Sequence, residues 1–208
     1  MITQRPLDAF LDELASGAPT PGGGSAAAIM GAMGAALVSM VCNVTIGKKG
    51  HEAVASEMQS VRDESEELRM SLTAMVADDI AAFDGLMAAY RLPKISEEDK
   101  SLRAAAIQSN LLAATETPMA CARACAQVVA LSKRAAERGY AGVISDVGVG
   151  VLAANTALRS AALNVYINAP SLKDRGFAAA AAAELEKLLD DCARESELVF
   201  ERVRSRLG

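Results

Sequence analysis

The chain has 208 residues, of which 51% are hydrophobic and 3% aromatic, and its formal net charge is −5. This length suits one domain with a full core, so residues 1–208 are predicted to form a single helical domain. The negative charge argues against a nucleic-acid binder held by bulk charge. The stretch from Met1 to Asp12 lacks the apolar core of a signal peptide, and the four cysteines show no CxxC or CxxH spacing. We therefore expect a reduced, cytoplasmic protein.

The first predicted elements flank a glycine-rich turn. Leu7 to Ala15 is predicted to form a short amphipathic helix. The turn that follows ends in Thr20-Pro21-Gly22-Gly23-Gly24-Ser25, and Ser25 is predicted to be the N-cap of a second helix that runs to Ile46. That helix contains no charged residue, and Gly47-Lys48-Lys49-Gly50 is predicted to end it.

The second helix has two different faces when its residues are placed at 100° intervals. The bulky face consists of Ile29, Met33, Leu37, Met40 and Val44. The small, polar face consists of Ser25, Ala32, Ala36, Ser39 and Asn43. We expect the bulky face to enter the core and the small face to admit another backbone or a flat ligand. About 20 uncharged residues could also span a bilayer, but the many alanines, glycines and polar residues favour a buried helix and no membrane.

A long third helix is predicted from Glu52 to Tyr90, with apolar residues at the spacing of a helical bundle. Asp79 interrupts this apolar stripe. A carboxylate on a core face costs several kcal/mol unless it is paired, hydrogen-bonded or protonated. Asp79 is therefore either a functional acid or the partner of a buried arginine such as Arg159.

The fourth helical region follows a break at residues 91–95. Ser96 is predicted to cap it, with acidic residues in its first turn. Thr117-Pro118 either kinks this helix or starts a fresh one. The helical pattern then continues to Arg138, and Cys121 and Cys125 on one of its faces are predicted to be packed core residues.

A turn at residues 139–142 leads to a second charge-poor helix. Ser145-Asp146 is predicted to cap this helix over Val147 to Asn168, where Asn164 and Asn168 share a face. A last amphipathic helix is predicted from Ser171 to Leu207. No strand pattern of useful length occurs, so the sequence predicts an all-α bundle of long antiparallel helices with two buried Ala/Gly-rich helices.

Several kinds of chemistry are excluded by residues that the chain lacks. His51 is the only histidine, which rules out a multi-histidine metal site and leaves no Ser-His-Asp or Cys-His arrangement that does not depend on it. His51 itself is expected to be exposed. The triple glycine is neither a Walker loop nor a dinucleotide-binding motif. The polar residues that remain suit a flat, polar heterocycle with an anionic tail: Thr20, Ser25, Asn43, Lys48, Lys49, Asp79, Asp146, Asn164 and Asn168.

A set of ordered motifs across the whole chain is similar to the formiminotransferase-cyclodeaminase C-terminal domain family. The motifs are Pro21-Gly22-Gly23-Gly24-Ser25-Ala26-Ala27-Ala28, Asn43-Val44-Thr45-Ile46-Gly47-Lys48-Lys49, Asp79 with Ala82-Phe83-Asp84, Leu92-Pro93-Lys94, Ser145-Asp146-Val147-Gly148, and the segment from Ala161 to Asn168. Gly50-His51 departs from the lysine and tyrosine common in relatives.

The resemblance implies an all-helical homodimer that acts on a folate, with a tetrahydrofolate derivative as substrate and no cofactor. It is closest to stand-alone members that add water to 5,10-methenyltetrahydrofolate and give 10-formyltetrahydrofolate. Asp79 would then be the general base or cation stabiliser, with Asp146 as the other candidate. Asn43, Asn164 and Asn168 would hold the pterin edge or the water, and the turn at residues 20–25 would line the site. Lys48 and Lys49 would meet the glutamate carboxylates or polarise the formyl oxygen.

Two other functions stay open at this point. Cyclodeamination of 5-formiminotetrahydrofolate uses the same substrate frame and electrophilic carbon, so the sequence separates it poorly from cyclohydrolysis. A non-catalytic helical assembly module is an alternative of another class, in which Asp79 and the asparagines are only satisfied core polar groups.

Overall fold

The computed structural model describes residues 6–207 and contains six α-helices and no strand within that range. The helices are α1 Leu7–Leu14, α2 Gly23–Thr45, α3 Ala55–Arg91, α4 Glu97–Arg138, α5 Ile144–Asn168 and α6 Arg175–Leu207. Short 3-10 turns at Glu52–Val54, Ala141–Val143 and Ala169–Ser171 connect or precede three of them. The all-α prediction is confirmed.

The N-cap predicted at Ser96 is confirmed, and it forms a capping box with Asp99. The Ser96 hydroxyl accepts a hydrogen bond from the Asp99 backbone N–H at 3.0 Å, and the Asp99 carboxylate accepts one from the Ser96 backbone N–H at 3.0 Å. The helix that begins there has 42 residues and runs through Pro118 without ending. Of the two outcomes considered at Pro118, the start of a fresh helix is therefore wrong.

Two other predicted caps are wrong. The N-cap of α2 is Gly22, so Ser25 lies inside the first turn, where its side chain is used elsewhere. The N-cap of α5 is Val143, and Ser145 and Asp146 likewise lie within the first turn. In both cases, a short glycine-containing segment lets the helix begin before the polar residue that was expected to start it.

The two charge-poor helices α2 and α5 pack directly against each other and run antiparallel. A Cβ atom on Gly34 would lie 2.9 Å from the Gly150 carbonyl oxygen and 3.2 Å from the Ala154 amide nitrogen. The backbones therefore meet where neither helix has a side chain. Around this crossing, α3, α4 and α6 contribute the rest of one continuous apolar core.

The face of α2 that points into the core contains Ala27, Ala28, Gly31, Ala35 and Val38, all of them buried, and the bulky face is turned away from it. On the small face, Ala32 and Ser39 are buried but Asn43 is exposed; on the bulky face, Met33 is 58% exposed and Val44 38% exposed. The prediction that the bulky face enters the core is wrong. The physical reason is the close crossing with α5, because only small residues allow two helix backbones to approach so closely.

By length and composition alone, Gly23–Thr45 and Ala141–Ser171 are apolar enough to cross a membrane. Within the bundle, 61% of the apolar window in the first segment and 44% of that in the second are buried. Helices from the same chain thus cover much of both segments, as expected for core helices. Cys121 and Cys125 are buried too, which confirms their predicted packing role.

Candidate functional site

The Asp79 carboxylate is held against the first turn of α2. The Ser25 hydroxyl donates a hydrogen bond to Asp79 Oδ2 at 2.7 Å. A Cβ atom on Gly24 would overlap Asp79 Oδ1 and lie 2.6 Å from its Cγ, so the carboxylate occupies the space that a side chain there would fill. Ser25 is fully buried and Asp79 half-buried. The glycine turn and the acid predicted from sequence therefore meet in space.

This arrangement depends on the antiparallel packing of α2 and α3. Leu72 of α3 lies beside Gly31 of α2, and Asp79, two turns later, reaches the start of α2. The first backbone N–H groups of a helix have no partner within the helix and carry partial positive charge. The carboxylate therefore lies beside the first turn of α2, close to the positive end of that helix. We call residues 20–25 together with Asp79 the amino-end cluster.

Arg159 is not the partner of Asp79. Its side chain is exposed on α5, while the described contacts of the Asp79 carboxylate are with Ser25 and Gly24. The alternative of a buried arginine pair is therefore wrong for this arginine. A serine hydroxyl supports the carboxylate without neutralising its charge, which leaves the second oxygen able to accept a proton.

A second group of predicted site residues lies at the opposite end of α2. Asn43, Lys48 and Lys49 are exposed near its C-terminus, and Asp146 is half-buried in the first turn of α5. We call these four residues the carboxyl-end cluster. From Ser25 to Thr45, α2 rises about 30 Å at 1.5 Å per residue. Within one chain, the two clusters therefore cannot act on the same carbon atom.

Asn164 and Asn168 lie near the C-terminus of α5, at the same end of the bundle as Asp79. The Asn168 amide donates to the Ala114 carbonyl oxygen at 2.7 Å, and the Asn164 amide donates to the Ser160 carbonyl oxygen at 3.3 Å. The amide NH₂ groups thus tie α5 to α4 and to its own preceding turn. Their carbonyl oxygens are the groups that could accept a hydrogen bond from a ligand.

Two aromatic residues at the carboxyl end were not singled out as a pair from the sequence. The Lys48 ammonium lies 3.8 Å from the ring centroid of Tyr140, and the His51 and Tyr140 rings meet edge to face at 5.7 Å. His51 is half-buried with Nδ1 shielded from solvent, so the expected exposed histidine is wrong. The only sequence signal for Tyr140 was its place in a glycine-flanked turn.

The thiols of this chain are poor candidates for nucleophiles. Burial raises the pKa of Cys42 to about 12 and that of Cys192 to about 11. The side-chain hydrogen bond between Cys125 and Cys121 is the larger cause, and burial the second, of a pKa of Cys125 well above its ordinary value. Among residues 6–207, no group of three or more histidine, cysteine, aspartate or glutamate residues is placed to hold a metal ion. The fixed Asp79 carboxylate is a group of the kind that acts in general acid–base catalysis.

Two of the larger surface grooves lie away from both clusters. One, of about 700 Å³, is lined by residues of α4 and of the connection to α6, including Gln108, Leu172 and Lys173. Another, of about 530 Å³, lies between α3 and α4 and includes Glu64 and Arg134. Neither contains any of the predicted site residues.

Residues 6–187 match the family model described as Formiminotransferase-cyclodeaminase. A methenyltetrahydrofolate cyclohydrolase from Methylorubrum extorquens is 54% identical over 208 residues, which is 100% of both chains. The formimidoyltransferase-cyclodeaminase of Sus scrofa is 34% identical over 99% of this chain but only 38% of its own length. The crystal structure of a formiminotetrahydrofolate cyclodeaminase from Thermotoga maritima gives a TM-score of 0.81 at 28% identity, covering 100% of this chain and 98% of the other.

Proposed function

This chain belongs to the formiminotransferase-cyclodeaminase family, and on that premise we propose that it acts as a methenyltetrahydrofolate cyclohydrolase in one-carbon metabolism. It would hydrolyse 5,10-methenyltetrahydrofolate to 10-formyltetrahydrofolate. One structural observation carries the proposal: the Asp79 carboxylate is fixed by the buried Ser25 hydroxyl at a half-exposed helix end. The 54% identity to a cyclohydrolase over the full length of both chains supports the choice of substrate.

The main task of the protein in this reaction is to position the substrate and a water molecule. The methenyl carbon bridges two nitrogens and shares their positive charge, so it is already electrophilic. A water molecule adds to that carbon and gives up one proton to Asp79 as its new C–O bond forms. The carbinolamine then opens: N5 takes a proton, its bond to the carbon breaks, and the hydroxyl group loses its proton. The formyl group with its C=O bond is left on N10, and the two steps together release one proton. Holding the water molecule next to the methenyl carbon in the geometry of attack would account for much of the rate increase over the uncatalysed reaction.

The other residues of the amino-end cluster are proposed to shape the site. Ser25 fixes one oxygen of Asp79, while the other oxygen faces the water. The backbone of residues 20–24 would pass along the flat ring, because glycines leave room for close approach. Asn164 and Asn168, with their NH₂ groups engaged in the protein, would offer carbonyl oxygens to the N–H groups of the pterin edge.

The two clusters can act together only if a second copy of the chain supplies one of them. Exposed apolar residues form a stripe on α2 and another on α5, and helical periodicity places both stripes on the same side of this helix pair. They include Met33, Val44, Val149, Leu152, Leu163 and Ile167. A two-fold pairing through this face would lay the two copies of α2 antiparallel, which brings the carboxyl end of one towards the amino end of the other.

We therefore propose a homodimer in which Lys48, Lys49, Asn43 and Asp146 of one protomer complete the site around Asp79 of its partner. The lysines would contact the oxygen of the one-carbon unit or the carboxylates of the substrate's glutamate tail. Asp146 remains the second candidate for proton transfer. A cytoplasmic location is proposed as well, because all four cysteines are buried and unpaired and folate interconversion of this kind requires no export.

Turnover of the two candidate substrates tests the activity. Purified protein should remove the near-ultraviolet absorbance of methenyltetrahydrofolate, and Asp79→Asn should lower kcat by about 100-fold or more. Asparagine keeps the size of the side chain and can still accept the Ser25 hydrogen bond, so the melting temperature should change little. Release of ammonia from 5-formiminotetrahydrofolate in the absence of methenyl hydrolysis would instead assign the cyclodeaminase activity.

Subunit complementation tests the shared site. Asp79→Asn and Lys48→Ala should each be nearly inactive alone. The two variants are co-expressed with different tags and purified as a mixture. Random pairing makes about half of the dimers heterodimers, and each heterodimer has one intact site of two. About a quarter of wild-type activity should therefore return. The shared site would be refuted if the protein sediments as a monomer or if the mixtures recover no activity. The cyclohydrolase assignment would not be affected, because the turnover assay tests it separately.

A further inference from the structure

The segment between α4 and α5 is anchored to the end of α2 by a buried side chain. The Thr45 hydroxyl oxygen accepts a hydrogen bond from the Tyr140 backbone N–H at 2.9 Å, while the same hydroxyl donates to the Val41 carbonyl oxygen at 2.7 Å. Thr45 is fully buried. The backbone at Tyr140 is therefore fixed to the last turn of α2, from which Lys48 follows three residues later.

The ring of Tyr140 is also confined. A Cβ atom on Gly142 would lie 2.5 Å from Cε1 of the ring and 3.0 Å from its hydroxyl oxygen, so the ring lies directly over a glycine. The rings of His51 and Tyr140 meet edge to face at an interplanar angle of 84°. With its backbone anchored, the half-buried Tyr140 ring thus lies against Gly142 and His51, and one of its faces makes a further contact.

That face holds the ammonium group of Lys48, 3.8 Å from the ring centroid. Lys48 is exposed and follows Gly47, whose φ of +77° turns the chain sharply after α2. Within residues 6–207, no carboxylate lies within ion-pair distance of Lys48. An aromatic face can fix a cation without neutralising it, because the attraction comes from the ring quadrupole. The ammonium is thus placed yet remains available to an anionic or oxygen-bearing ligand.

We propose that Tyr140 is a positioning residue that holds Lys48 ready for the substrate. The inference rests on the proposed function, in which Lys48 contacts the folate. A free lysine side chain samples many rotamers, and each must be lost when it binds. The Tyr140 ring restricts that freedom before the substrate arrives. The contribution expected from one exposed cation–π contact is about two- to fivefold in the kinetic parameter that Lys48 controls.

Kinetics of single and double variants test the coupling. Tyr140→Leu should change the same parameter, kcat or KM, that Lys48→Ala changes, and in the same direction, whereas Tyr140→Phe keeps the ring and should retain wild-type values. In a Lys48→Ala background, Tyr140→Leu should have no further effect. Tyr90→Leu removes an exposed tyrosine at the end of α3 that contacts Arg103, and it should leave activity unchanged.

Equal effects of Tyr140→Leu with and without Lys48 would overturn the inference, as would an active enzyme that Lys48→Ala does not impair. If the wild-type protein does not hydrolyse methenyltetrahydrofolate, the proposed function is refuted instead.

A spectroscopic measurement tests the position of the Lys48 side chain independently of enzyme activity. After reductive ¹³C-methylation, the Lys48 methyl signal, assigned with Lys48→Arg, should be shifted upfield by the ring. The shift should persist in Tyr140→Phe and disappear in Tyr140→Leu. An unshifted signal in the wild-type protein would also overturn the inference.

Discussion

Replacing Gly24 by alanine should displace the Asp79 carboxylate, the proposed general base, without removing any of its atoms. The new Cβ would lie 2.6 Å from Cγ and 2.9 Å from Oδ2 of Asp79, and real Cβ atoms do not tolerate such distances. Because Gly24 is part of the backbone of α2, the flexible partner must move. Asp79 would rotate away and lose the 2.7 Å hydrogen bond from Ser25.

The expected effects on stability and activity differ greatly in size. Alanine in place of glycine favours the helix by about 1 kcal/mol, while loss of a hydrogen bond to a charged group costs about 1.5–3 kcal/mol. The net destabilisation is therefore about 0.5–2 kcal/mol, or a fall in Tm of about 1–8 °C for a chain of this size. A misplacement of about 1 Å at a reacting centre can lower the rate about 100-fold, so kcat should fall by roughly that factor.

The measurement is the initial rate of methenyltetrahydrofolate hydrolysis, with the uncatalysed rate subtracted, alongside a thermal melt. Gly17→Ala is the matched control, because a Cβ atom there would have no neighbour within 4 Å; its kcat should equal that of the wild-type protein. A kcat within about threefold of wild type for folded Gly24→Ala would refute the role given to the position of Asp79.

Three further predictions concern the scaffold. Gly34→Ala should lower the free energy of unfolding in urea by about 1–2 kcal/mol, because its Cβ would press on the Gly150 carbonyl; unchanged stability would contradict the close helix crossing. Hydrogen bonds from Arg123 lower the pKa of Glu184 below 4.5, so Glu184→Gln should cost at most about 1 kcal/mol at pH 7. That difference should shrink as the pH falls below 4.5, since the unfolded wild-type chain then takes up a proton that the folded chain binds only at a lower pH; a loss independent of pH in denaturation curves would be contrary evidence. With the pKa of Cys42 at about 12, a thiol reagent at pH 8 should label the native cysteines at least about 100-fold more slowly than the urea-unfolded ones, and rapid native labelling would show that the thiols are accessible.

Local sequence signals predicted the helices well, for reasons that each segment contains in itself. The capping box at Ser96 and Asp99 satisfies N–H groups within three residues of each other, and the apolar periodicity of α3 is a property of one segment. Asp79 was identified because a charge interrupts that periodicity. The predicted single domain of residues 1–208 remains a prediction, although one apolar core draws on five of the described helices.

The orientation of α2 could not be predicted in the same way. Its side-chain volumes favoured burial of the bulky face, but the backbone contact at Gly34 and Gly150 turns a different face inward, one that contains Ala35 and Val38. A helix face of small residues packs closely only when the second helix also has small residues at the crossing point. That information lies in α5, more than 100 residues later in the chain.

By itself, the sequence determined the all-helical class, the family and an unusual carboxylate at Asp79, because composition, motif order and periodicity are local or additive properties. Only the tertiary structure decided that Ser25 holds Asp79 instead of capping a helix, and that the predicted site residues divide between two ends of the bundle. These features depend on the register and crossing of helices far apart in the chain. Such contacts form when whole surfaces pack together, and no short stretch of residues specifies them.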